Sequence, residues 1–133
     1  MHPLTGTWIA NLSKSQRHLN HQFQRATMRF EVVGEVVSIN FDGVNASGQL
    51  EGNTLMFNAD GHGHPVPEAP GLVAITVLRP RALQSIGKRD DIEIGRSTYE
   101  VADDGQTMTA TVSGIDGSGR LIEQVIVFDR ESP

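Results

Sequence analysis

The sequence contains no cysteine, which excludes a disulfide framework, a thiolate nucleophile and any zinc site built on sulfur. It has no cluster of Lys or Arg, and its formal net charge is −5. A nucleic-acid or anionic-membrane surface needs a basic face, so neither partner is expected. No apolar run approaches the ~18 residues of a membrane span. The start, "MHPLTGTW", lacks the basic and apolar regions of a signal peptide. As written the chain is expected in the cytoplasm, although a chain trimmed after an export signal would read the same way. Catalytic signatures are missing as well. There is no G-x-S-x-G, no G-x-x-x-x-G-K-[ST] and no H-E-x-x-H, and "GHGHPV" fails G-x-G-x-x-G at Val66. The Asp-rich turns "RDD", "ADDG" and "IDGSG" do not match a calcium loop.

What is present is alternation. In "TMRFEVV" Met28, Phe30 and Val32 oppose Thr27, Arg29 and Glu31, as a half-buried strand requires. "EVVSINF" repeats the pattern with Val37, Ile39 and Phe41, and Gly34-Glu35 between them reads as a two-residue hairpin loop. Further strand runs are "GQLEG", "TLMFNA", "LVAITVLR", "ALQSIGK", "DIEIGRSTYEV", "QTMTATVSGI" and "RLIEQVIVFDR". The breaks between them include "EGN", the long Gly/Pro loop around 58–71, "RPR" and "ADDG". About ten strands with turn signals roughly every 8–12 residues imply an all-β protein. Residues 1–133 form one domain, expected to be a single up-and-down antiparallel β-barrel of about 8–10 strands. Helix is expected only as a turn or two in "SKSQRHLNHQ", with Ser13 or Ser15 as cap.

In such a meander the connections alternate between two ends. The segment 13–24, "DGVNAS", the Gly/Pro loop, "RDD" and "DGSG" share one end; "GE", "EGN", "RPR", "ADDG" and both termini share the other. One end is long-looped and the other tightly closed, as in a cup.

Against that arrangement "GTW" at 6–8 resembles the G-x-W signature that opens lipocalins and fatty-acid-binding proteins, the calycin barrels. The resemblance implies a Trp at the closed end with a basic residue of the last strand packed across it. In "VIVFDRE" the matching residue is Arg130, so Gly6, Trp8 and Arg130 are the expected barrel base. The wider pattern, "GTWIANLSKS" with "ADDGQTMTATVSGIDGSG", is similar to a bacterial lipocalin-like group. That group's pattern in the 60–71 region is of the DGK-x-YPV type where this chain has "DGHGHPV", so the resemblance implies no role for the histidines.

The candidate site is the lumen. Met28, Phe30, Ile39, Phe41 and Phe57 would form an apolar wall, with Tyr99 as a polar anchor. On the other side Ser85, Gly87, Gly95 and Ser97 are small and leave room. His62 and His64 would sit at the mouth. The leading expectation is non-catalytic binding of a small apolar or amphipathic ligand, with no cofactor. Two alternatives remain open. A small enzyme or metal protein would use Asp60, His62 and His64 at the open end, with His18 or His21 nearby. A filled barrel would act by protein association, since apolar "ATVSGI" and "VIVF" leave a homodimer open.

Overall fold

A computed structural model describes residues 2–16, 23–66, 69–115 and 118–131. Ten strands follow one another: β1 (Gly6–Gln16), β2 (Phe23–Val33), β3 (Val36–Asn45), β4 (Leu50–Asn58), β5 (Asp60–Pro65), β6 (Leu72–Arg79), β7 (Ala82–Arg89), β8 (Ile92–Val101), β9 (Thr107–Ile115) and β10 (Leu121–Arg130). They make one antiparallel sheet in the order β4-β3-β2-β1-β10-β9-β8-β7-β6-β5. Sequence neighbours pair from β1 to β4 and from β5 to β10, β1 closes onto β10, and no ladder joins β4 to β5. The result is a nearly closed up-and-down barrel, with one unpaired slot between β4 and β5.

Alternation produces the inner face. On β2 Ala26, Met28 and Phe30 are buried while Gln24, Arg29 and Glu31 are exposed. The hairpin to β3 turns at Gly34, φ 61°, in register Val33↔Val36. The turn between β7 and β8 instead places two aspartates, Asp90 and Asp91, at φ 53° and 63°. A two-residue loop with both φ positive matches the right-handed twist of its strands, and Asp tolerates that region better than most residues.

Three expectations are corrected. "GQLEG" and "TLMFNA" are one strand, β4, and "EGN" makes no turn. "DGHGHP" is not loop but strand β5, an edge strand paired only to β6. Gly61 at φ 77° and an irregular register between Asp60 and Gly63 allow the strand to form. Gly63 packs where a Cβ would stand 2.7 Å from Val73 Cγ1. Pro65 is tolerated because an edge strand leaves one row of its backbone groups unpaired. The two errors cancel, so the loop that follows β5 still lies at the open end. Finally, Ser13 and Ser15 cap no helix, since β1 runs through them to Gln16, and the rest of that expected helical stretch, 17–22, lies outside the described residues. Ser15 Oγ donates to the Asn11 carbonyl at 2.7 Å and accepts the Val127 N–H at 2.9 Å.

The closed end is filled. Trp8, Phe30, Leu4, Ile39, Leu83, Met108, Val37 and Val101 are the largest fully buried side chains. Trp8 pairs with Arg130 across the β1–β10 seam. The indole Nε1–H donates to the Leu4 carbonyl at 2.9 Å, and the Arg130 guanidinium carbon lies 4.1 Å from the ring centroid. That guanidinium also donates to three carbonyls, Gly105 at 2.7 Å, Thr5 at 2.9 Å and Pro3 at 2.6 Å. It thereby ties the N-terminal segment, the β8–β9 turn and the last strand together. Gly6 belongs to the same arrangement. Its φ is +130°, and a Cβ there would stand 2.7 Å from Arg130 Nη1.

Candidate functional site

Above this core the interior opens. Register shows why: along β7 and β8 the inward positions lose bulk towards the open end, and β9 joins them in ending on glycine. Leu83, Tyr99 and Ala110 form one cross-strand row, Ser85, Ser97 and Val112 the next, and Gly87, Gly95 and Gly114 the last. Glycines at the top of three adjacent strands remove side-chain bulk there, and Gly114 borders the cavity directly. The cavity has a volume of about 750 Å³. Met28, Phe41, Ile126 and Phe128 supply much of its apolar lining, with Ala26, Ala110 and Gly114 providing space. Polar groups enter at Asn45, Ser47, Glu51, Tyr99 and Gln124.

Tyr99 is the deepest polar group. Its ring meets Phe30 edge-on, centroids 5.4 Å apart and planes at 67°. Enclosure inside the barrel raises the phenol above its ordinary pKa, opposed by a hydrogen bond with Ser97. The group therefore stays neutral and can both donate and accept.

The residues singled out from sequence divide into three sets. Met28, Phe41 and Tyr99 line the cavity. Phe30 and Ile39, which pair with each other one step nearer the closed end, are buried in the core beneath it, and Phe57 packs against that core. His62 and His64 lie on exposed β5, away from the cavity lining. The register sets His64 opposite Ala74, and its Nε2 is 2.9 and 3.0 Å from the two carboxylate oxygens of Asp60. His62 contributes its backbone N–H, 2.8 Å from Asp60 Oδ1. That N–H bond, followed by the His64 hydrogen bond, holds the Asp60 carboxyl below its usual range despite opposing desolvation. The arrangement is a local turn-and-pair on an edge strand. Among the described residues no group of three His, Asp or Glu is arranged to hold a metal. His18 and His21 lie outside the described residues.

Several lining residues were not singled out from sequence: Phe23, Glu51, Val112, Ile122, Gln124 and Ile126. In "LIEQVIVF" both parities carry apolar residues, so the inner face of β10 is not legible there. Glu51 was hidden by the division of β4 into two strands. The available signal was the glycine at the open end of the inward series on β9, Gly114, set beside Gly95 of β8, which marks reduced bulk next to β10.

No protein-family model matches the chain, and no curated protein matches it closely. Solved structures do. A point mutant of the fluorescent protein UnaG aligns with TM-score 0.67 at 14% identity, covering 98% of each chain. Zebrafish ileal bile acid-binding protein complexed with cholic acid aligns with TM-score 0.59 at 8% identity, over 97% of this chain and 99% of that one. Apocrustacyanin C1 gives 0.53 at 12%, over 99% of this chain and 63% of the other. The fold is therefore that of the calycin barrels, fatty-acid-binding-protein and lipocalin-like. Identities this low establish the fold and nothing finer.

Proposed function

We propose that the protein binds a small hydrophobic or amphipathic ligand in its lumen without transforming it. One observation carries the reading: a cavity of about 750 Å³, apolar on most of its wall, stands above a fully packed base. That volume falls within the ~300–1,000 Å³ range of ligand sites, and the few polar groups are placed to orient an occupant. Likeness to a barrel complexed with cholic acid agrees with this use of the space. Met28 and Phe41 form one wall, Ile126 and Phe128 another, and Tyr99 offers a hydrogen bond at depth. His62 and His64 would touch a ligand only where it reached the slot beside β5. Trp8 and Arg130 serve the base and not the ligand.

Native mass spectrometry of the protein as purified, followed by incubation with a neutral solvatochromic dye, tests this. The expected result is an organic adduct lost on denaturation, or saturable uptake of one dye per chain. A bare polypeptide mass together with no dye uptake would overturn the proposal.

A further inference from the structure

The charge lining the cavity bears on the class of ligand. Among the described lining residues, Glu51 is the single carboxylate, and none is Lys, Arg or His. Glu51 stands on β4 opposite Gly43, which is buried and presents no side chain of its own. The carboxylate therefore meets the hollow at its mouth with no neighbour across the pair. Its position is set by the turn before it. The Asn45 side-chain oxygen accepts the N–H groups of Ser47 and Gln49 at 2.9 and 3.0 Å. The Asn45 amide then donates to Glu51 Oε1 at 2.9 Å. Among the described residues only that oxygen of the carboxylate is engaged, and Oε2 is left for an occupant.

We infer that the lumen prefers an amphipathic amine, its apolar body between the Met28–Phe41 and Ile126–Phe128 walls and its cationic nitrogen at Glu51. This rests on the lumen-binding reading above. A carboxylate ligand in the same pose meets no cation among the described lining residues and an acidic neighbour, at the desolvation cost of an unpaired charge. An ammonium group meets the Glu51 carboxylate with the Asn45 and Ser47 oxygens nearby. The net charge of −5 adds a long-range field of the same sign.

Three probes with one chain length separate the possibilities: dodecylamine, dodecanol and dodecanoate, titrated calorimetrically below their aggregation concentrations. At low salt the amine is expected to bind about tenfold more tightly than dodecanoate, the sum of an attraction and a repulsion near the surface. The ratio should shrink as salt screens both. In Glu51→Gln the amine-to-dodecanoate ratio should fall to about threefold or less, with dodecanol as the reference within each protein. Dodecanoate binding as tightly as the amine, or a ratio untouched by Glu51→Gln, overturns the amine preference while leaving lumen binding intact. Failure of all three probes, the uncharged alcohol included, overturns both readings.

Discussion

Replacing Arg130 by Met removes the guanidinium but keeps a side chain of similar reach over Trp8. Three carbonyls lose their donor, those of Pro3, Thr5 and Gly105. The indole loses a cation 4.1 Å from its centroid. A hydrogen bond from a charged donor contributes ~1.5–3 kcal/mol. These carbonyls, however, lie near the barrel's end, where water replaces much of the loss, so about 0.5–1 kcal/mol each is the working figure. The cation–π contact adds about 0.5–2 kcal/mol. The sum is a destabilisation of about 2–5 kcal/mol, or a Tm lower by roughly 8–20 °C at about 4 °C per kcal/mol for a chain of this size. Trp8 is the sole tryptophan, so urea and thermal unfolding followed by its emission report the base directly. Arg130→Lys should recover the cation–π part but not the three-way bond, and fall between wild type and Arg130→Met. A shift below about 1 kcal/mol for Arg130→Met would refute the assignment of the base to this residue.

Other consequences are as direct. Gly6→Ala should destabilise by about 1–3 kcal/mol, because the new Cβ meets Arg130 Nη1 in a backbone region that disfavours side chains; an unchanged urea midpoint would contradict the close packing. Tyr99 is the sole tyrosine, so tyrosinate absorbance reports it alone, and its titration should lie above the ordinary 10.0 in the folded protein. A pKa raised by folding stabilises fully below the unfolded value, and that stability is lost as pH rises through the folded value. The urea midpoint should therefore decline in alkali less steeply in Tyr99→Phe than in wild type, and equal slopes would count against burial of the phenol. Asp60 has the opposite sign. Its lowered pKa makes a contribution present above the usual aspartate range and lost as pH falls through the folded value. Its carboxyl NMR shift should titrate below that of a free aspartate and return to it when His64→Ala is combined with an insertion that breaks the His62 turn.

Much of the fold was legible because a half-buried strand shows its faces. "TMRFEVV" and "EVVSINF" admit one assignment, and β2 and β3 pair Met28 with Phe41 and Phe30 with Ile39 accordingly. G-x-W with a late Arg led to the closed end for a chemical reason, since Arg130 is the group that a left-handed Gly6 makes room for. β5 was not legible. Gly, His and Pro have low strand preference, and only pairing to β6 along one edge makes "DGHGHP" extended. For the site, inward parity was readable, but depth was not. Phe30 and Ile39 face the same interior as Met28 and Phe41, and which pair lies in the core and which lines the cavity depends on how far the base residues rise. That height is a sum over all ten strands and leaves no local mark.

Val112 lines the cavity between Ser97 and Gln124 and points into open space. A larger side chain there should fit without the strain that overpacking causes in a filled core. Titrating wild type and Val112→Phe with Nile red, a neutral dye, therefore tests lumen binding most directly. The expected result is one saturable site in wild type, weakened about tenfold or more in Val112→Phe with Tm within about 2 °C of wild type. Equal dye affinity in the two proteins, or a variant that loses several degrees of Tm because the space is already filled, would contradict a ligand cavity in this barrel.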